Sequence, residues 1–133
     1  MDSAGPAPKA LIVDDDPVSA TVAAAILEDL GFAVEIRTTP FGTGAYVQQM
    51  RPDVVLLDIQ MPGLSGDYVA QLIKQAPGGA LIHVILHSSR KQEELEAMGR
   101  KCGAVGVIRK TGDPEDFTRD FQRITQTMKY LAR

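Results

Sequence analysis

The chain has 133 residues, 44% of them hydrophobic and 23% charged, with a net charge of −3; that is enough for one globular domain with a real core. Its 14 Lys and Arg are outnumbered by acids and scattered along the chain, which argues against nucleic acid as the main partner, because phosphate backbones are bound by a concentrated basic face. The single cysteine, Cys102, cannot form an intrachain disulfide and suits a reducing cytosol. No apolar run approaches the ~18 residues of a membrane span.

Residues 1–8 are small side chains and two prolines with no hydrophobic segment. They read as a flexible tail rather than a signal peptide, leaving residues 9–133 as the domain. Lys9 to Val13 is a short apolar run, the first predicted strand, and it ends in Asp14-Asp15-Asp16. Asp16-Pro17 opens a helix, since Asp is a good N-cap and Pro suits the first helical position. Val22, Ile26, Leu27 and Leu30 make its expected buried stripe, and Gly31 ends it. Phe32 to Arg37 alternates as a second strand, and Thr39-Pro40 starts a second helix running to about Met50. Asp53 to Asp58 places four apolar residues between two acids. Such a run is a strand apolar on both faces, as in parallel sheets, and Pro62-Gly63 then turns the chain.

After the Met61–Gly66 loop, Tyr68, Val69, Leu72 and Ile73 form a helical stripe that stops before Pro77-Gly78-Gly79. Leu81 to Leu86 is the fourth predicted strand, ended by His87-Ser88-Ser89. Glu93 to Cys102 is a charged helix with a thin stripe of Leu95, Met98 and Cys102. Ala104 to Ile108 is the fifth strand. Asp113-Pro114 repeats the cap-plus-proline start, and Phe117, Phe121, Ile124, Met128 and Leu131 mark the buried side of the last helix. Five strands alternating with five helices predict an α/β, doubly wound (βα)5 sandwich: one parallel sheet, right-handed crossovers, helices on both faces.

In such a sheet the carboxyl ends of the strands share one edge, where ligands bind. Asp14, Asp15 and Asp16 follow the first strand, Asp58 ends the third, Ser88 and Ser89 follow the fourth, and Lys110 follows the fifth. Crowded carboxylates repel by roughly 1–4 kcal/mol per close pair. A hard divalent cation such as Mg2+, which takes oxygen ligands, would offset this. Acids, a metal, a hydroxyl and an ammonium together make a phosphoryl-transfer site with a carboxylate nucleophile. Asp16 reads as a helix cap, Asp53 as a turn acid, and His83 and His87 as packing residues rather than ligands.

These residues resemble the receiver domain of two-component response regulators. The resemblance covers about Lys9 to Leu131. It rests on Leu11-Ile12-Val13-Asp14-Asp15-Asp16-Pro17, on Pro52 through Gly63 with Gly66, on Ser88, and on Gly103-Ala104 before Lys110. It implies the flavodoxin-like strand order 2-1-3-4-5. It further implies that Asp58 accepts the phosphoryl group, and that Asp15, Asp58 and the Gln60 carbonyl hold Mg2+ with Asp14 helping through water. Ser88 and Lys110 would contact the phosphoryl oxygens, while Gln60 and Arg90 would tune the lifetime of the phosphorylated form. The donor would be a histidine kinase, a histidine phosphotransfer protein or a small phosphodonor. The receiver would catalyse only its own phosphorylation and dephosphorylation. The fourth helix, fifth strand and fifth helix would face a downstream protein, and the fifth helix, with exposed Arg119, Arg123 and Lys129, is a possible homodimer surface.

Four positions depart from the family pattern. Val107 stands where the family has an aromatic, Thr111 where it has the proline after the lysine, and Ser89 and His83 replace a small residue and a proline. They predict intact chemistry with an atypical output face. Two other readings remain open: a pseudo-receiver that binds partners without using the phosphoryl site, and a haloacid-dehalogenase-type hydrolase using Asp14-Asp15-Asp16-Pro17-Val18.

Overall fold

The structure is a computed structural model that describes residues 6–61, 63, 65–126 and 128, the side chain of residue 67 excepted. Expectations that fall on residues 1–5, Pro62, Lys129 and Leu131 lie outside these. The elements are β1 (Lys9–Val13), α1 (Pro17–Asp29), β2 (Ala33–Arg37), α2 (Thr43–Met50), β3 (Val54–Asp58), α3 (Gly66–Gln75), β4 (His83–Ser88), α4 (Gln92–Cys102), β5 (Gly106–Arg109) and α5 (Pro114–Thr125). All strand pairings are parallel, in the order β2-β1-β3-β4-β5. The doubly wound sheet expected from the alternation is therefore present, in the expected order.

Successive strand residues point to opposite faces, and the core divides accordingly. Leu11, Val13, Val55, Leu57, Val84 and Leu86 pack with Val47, Val69, Ile73 and Leu95 of α2, α3 and α4. Ala10, Ile12, Val54, Leu56, Ile85 and Ile108 pack with Ala20, Ala23, Leu27, Phe117 and Phe121 of α1 and α5. Every residue of β3 is buried, as its unbroken apolar run requires. Edge strand β2 is mostly exposed.

The proline-led helix starts form as read. Asp16 accepts from the Val18 amide and Asp113 from the Glu115 amide, each before a proline at the head of its helix. Other expectations need correction. Helix α1 turns Ala20, Ala23, Ala24 and Leu27 to the sheet, while Val22 is 44% exposed; small side chains permit closer helix-to-sheet packing than the stripe of large ones. Tyr68 and Leu72 are likewise exposed, leaving Val69, Ala70 and Ile73 as the buried side of α3. Helix α2 begins at Thr43, not Thr39, because Gly42 is left-handed at φ 77° and the Thr43 hydroxyl donates to the Pro40 carbonyl at 2.7 Å. Strand β4 begins at His83, two residues late, because Gly79–Leu81 coils into a 3-10 turn and leaves Leu81 exposed. Strand β5 likewise starts two residues late, at Gly106. There the Ile124 side chain occupies the space a Cβ would need. The last helix ends at Thr125.

Gly66 seats the start of α3 against the end of β3. A Cβ there would stand 2.6 Å from the Asp58 carbonyl oxygen and closer still to the Ile59 Cα. Since the obstacle is backbone, it cannot swing aside. Gly66→Ala is expected to cost about 1–3 kcal/mol of stability, read as a lower urea midpoint; an unchanged midpoint would show that the α3 start moves freely.

Candidate functional site

The strand register brings the polar ends together. Val13 pairs with Leu57 and Asp58 with His87, so Asp14 follows β1 beside Asp58. Lys110 reaches across from β5, and its backbone amide donates to the Ser88 carbonyl at 2.7 Å. Its ammonium donates to Asp14 Oδ2 at 2.9 Å and to Asp58 Oδ2 at 3.3 Å. The remaining carboxylate oxygens are also engaged. Asp14 Oδ1 accepts from the Asp16 amide and Asp58 Oδ1 from the Gln60 amide, each at 2.9 Å. Asp14 and Asp58 are buried while Asp15 is exposed.

The environment separates the two buried acids. Burial raises both. For Asp14 the Asp16 amide and Lys110 outweigh burial and hold the carboxyl below its ordinary value. For Asp58 burial prevails over the Gln60 amide and Lys110, and the nearby Asp14 charge adds to it, so its carboxyl is pushed up. Burial works against the Lys110 ammonium too, but its two carboxylate partners raise it overall. One lysine thus compensates two acids.

A ligand oxygen from each of Asp14, Asp15 and Asp58 falls within 4.8 Å of the others. Three carboxylates facing one spot, beside the Lys110 ammonium, fit a hard divalent cation held by oxygen. The structure thus brings together Asp14, Asp15, Asp58, Gln60, Ser88 and Lys110. Asp16 is the α1 cap, and Asp53 accepts from the Lys9 amide at 2.8 Å on the opposite edge, as structural acids.

Sequence reasoning named Gln60 for its backbone carbonyl and as a tuner of the phosphorylated lifetime, but missed the bonds that its side chain makes. Its Oε1 accepts from both Ser88 Oγ, at 3.0 Å, and Ser89 Oγ, at 3.1 Å. Two adjacent hydroxyls at one strand end, facing an amide at the next, were the available signal. Val107 is buried, and a Cβ on Gly99 would come 2.8 Å from its Cγ1, so it fills the gap between β5 and α4. Thr111 closes the loop after Lys110: its hydroxyl donates to Asp116 at 2.7 Å and accepts from the Asp113 amide at 3.2 Å. No peptide bond is cis among the described residues. Arg119 and Arg123 pair with Asp116 and Asp120 of their own helix at the surface, where such pairs contribute little.

His87 is a packing residue, as expected. It is 6% exposed and meets the Phe117 ring edge-on at 5.2 Å between centroids. Burial first, and the Lys110 charge second, push its imidazole down to about 4, with Asp14 opposing. The folded value lies below the free one of 6.5, so the unfolded chain binds the proton first. His87 therefore takes stability away as pH falls from 6.5 toward 4, by about 3 kcal/mol over the window. Asp58, with its raised value, acts in the opposite sense as it takes up a proton. We expect the urea midpoint of wild type to fall between pH 7 and pH 5, and that of His87→Leu to fall much less; equal slopes would mean that His87 is charged or solvated in the fold.

Beside His87 a cleft of about 330 Å3 runs between α1 and the loop after β5. No described helix is long and apolar enough to cross a membrane.

Comparison with known proteins agrees with this geometry. A family model described as the response regulator receiver domain matches residues 10–122. The protein PilH of Pseudomonas aeruginosa is 37% identical over 116 residues, covering 86% of this chain and 94% of PilH. The gliding motility regulatory protein of Myxococcus xanthus is 37% identical over 98 residues, covering 72% of this chain but 12% of that protein. Among solved structures, the chemotaxis response regulator CheY4 of Vibrio cholerae superposes with a TM-score of 0.80 at 24% identity, over 89% of this chain and 98% of CheY4. A CheY-like receiver domain protein from Methanospirillum hungatei JF-1 superposes with a TM-score of 0.75 at 26% identity, over 92% and 98%.

Proposed function

This chain belongs to the response regulator receiver domain family, and from that premise we propose that it works as a switch whose Asp58 accepts a phosphoryl group from a histidine kinase or a histidine phosphotransfer protein. The observation that carries the reading is the Lys110 ammonium lying between Asp14 and Asp58 at the convergence of three strand ends. In the transfer, an oxygen of the Asp58 carboxylate bonds to phosphorus as the phosphorus–nitrogen bond of the donor phosphohistidine breaks. The electron pair leaves with the imidazole, and the product is an acyl phosphate. Lys110, released from Asp58, stays close enough to pair with a phosphoryl oxygen, and Ser88 supplies a hydroxyl proton to another. Mg2+ held by Asp15, Asp58 and the Gln60 carbonyl, with Asp14 acting through water, would neutralise charge on the transferring group.

The cleft beside Lys110 presents Val18 and Val22 as exposed apolar surface, suited to a donor protein that must reach Asp58 without water between. The protein turns over no separate substrate in this reading and acts in the cytoplasm, catalysing only its own phosphorylation and dephosphorylation. Its output is a shifted equilibrium between two forms, read by a protein partner on α4, β5 and α5. The packing of Val107 favours a second reading, an interaction module that never uses the phosphoryl site, because no aromatic side chain is there to rotate with the loop after β4. Mass spectrometry after acetyl phosphate and Mg2+ separates the two. A phosphoryl increment, absent when the metal is chelated, supports the switch, and its absence supports the module.

A further inference from the structure

The Gln60 backbone already serves the site through its amide bond to Asp58. Its side chain does something separate. Ser88 is fully buried, and its Oγ accepts from the Arg90 amide at 3.2 Å. A hydroxyl has one proton, and that of Ser88 goes to Gln60 Oε1. Ser89 gives its proton to the same oxygen. Two hydrogen bonds on one acceptor therefore tie the segment after β4 to the segment after β3. Ser88 cannot donate to Gln60 and to a phosphoryl oxygen at once.

We propose that the Gln60 carboxamide is a clasp that holds the β4–α4 segment in its resting position, and that phosphorylation of Asp58 opens it by drawing away the Ser88 proton. The inference rests on the phosphoryl-accepting reading of Asp58. The clasp stabilises the unphosphorylated form alone, so it lowers the apparent affinity of the site for a phosphoryl group. Gln60 is a positioning residue here: it acts through Ser88, and through Ser89, whose hydroxyl stands at a position the family usually fills with a small side chain.

Gln60→Ala removes the carboxamide and keeps the backbone amide and carbonyl. With beryllofluoride and Mg2+ as the phosphoryl mimic, Gln60→Ala is expected to bind about two- to tenfold more tightly than wild type, the range for one or two exchanged hydrogen bonds. Ser89→Ala alone is expected to tighten binding about twofold, and to do nothing further in the Gln60→Ala background because its partner is gone. Without the mimic, the Arg90 amide should exchange its hydrogen faster in Gln60→Ala. If wild type binds the mimic but Gln60→Ala binds it equally or more weakly, or if the two substitutions simply add, the clasp is wrong while the phosphoryl reading stands. Unchanged Arg90 exchange counts against the clasp independently. Failure of wild type to bind the mimic removes the phosphoryl reading and the clasp's proposed role with it.

Discussion

Asp58→Asn is expected to abolish uptake of a phosphoryl group from acetyl phosphate while leaving the fold intact and more stable. The amide is nearly the same size as the carboxyl, and its oxygen can still accept from the Gln60 amide that now bonds Asp58 Oδ1. What it lacks is the negative oxygen that attacks phosphorus. The stability change follows from burial. Asp58 is 4% exposed, and burial together with the Asp14 charge raises its carboxyl. A raised carboxyl destabilises the fold in its ionised form, and stability returns as pH falls through the folded value. The variant should therefore gain most at neutral pH and lose its advantage in acid. Lys110 keeps Asp14 at 2.9 Å, so no new charge is orphaned. Intact-mass measurement with a thermal melt reads both effects. Labelling of the variant at the wild-type level would remove Asp58 as the acceptor.

Lys110→Met is expected to lower stability by about 2 kcal/mol at neutral pH and to cut phosphoryl uptake severely. Removing one partner of a buried ion pair typically costs about 3–5 kcal/mol. Two features reduce that here: the Lys110 side chain is 21% exposed, and Asp58 can take up a proton once its cation is gone. The loss should therefore shrink as the pH is lowered through the carboxyl range, since neutralising one acid ends the repulsion between them. Wild type has a matching signature on the alkaline side. The lysine's folded value is raised above 10.5, so its contribution is complete below that pH and is lost above the raised value. Urea midpoints of both proteins at pH 7 and pH 5 test this. A deficit that stays constant with pH would mean the two acids are not what Lys110 stabilises.

Much of the site was legible in the primary structure because its signals are local. An apolar run ending in an acid, a helix opened by Asp-Pro, and a hydroxyl or lysine just past a strand each declare themselves within a few residues, and they led to Asp14, Asp15, Asp58, Ser88 and Lys110. The resemblance to receiver domains supplied the strand order. Where local signals competed, the reading failed. Gly42 outweighed Thr39-Pro40 in deciding where α2 starts. At Leu81 a residue with strong apolar character lay in a 3-10 turn, because Gly78 and Gly79 allow the chain to coil there.

Residue order by itself determined the alternation of elements, the caps at Asp16 and Asp113, and the presence of polar chemistry at the strand ends. Only the tertiary structure decided how those ends interact. It gave one ammonium to two carboxylates, raised Asp58 while lowering Asp14, buried His87 against Phe117, and turned the Gln60 amide onto two serines. These depend on distances between side chains 28 to 96 positions apart in the chain, set by strand register and by the depth of burial. Helical and strand periodicities reveal which face a residue takes, and carry no information about which distant residue shares that face or how much water is left between them.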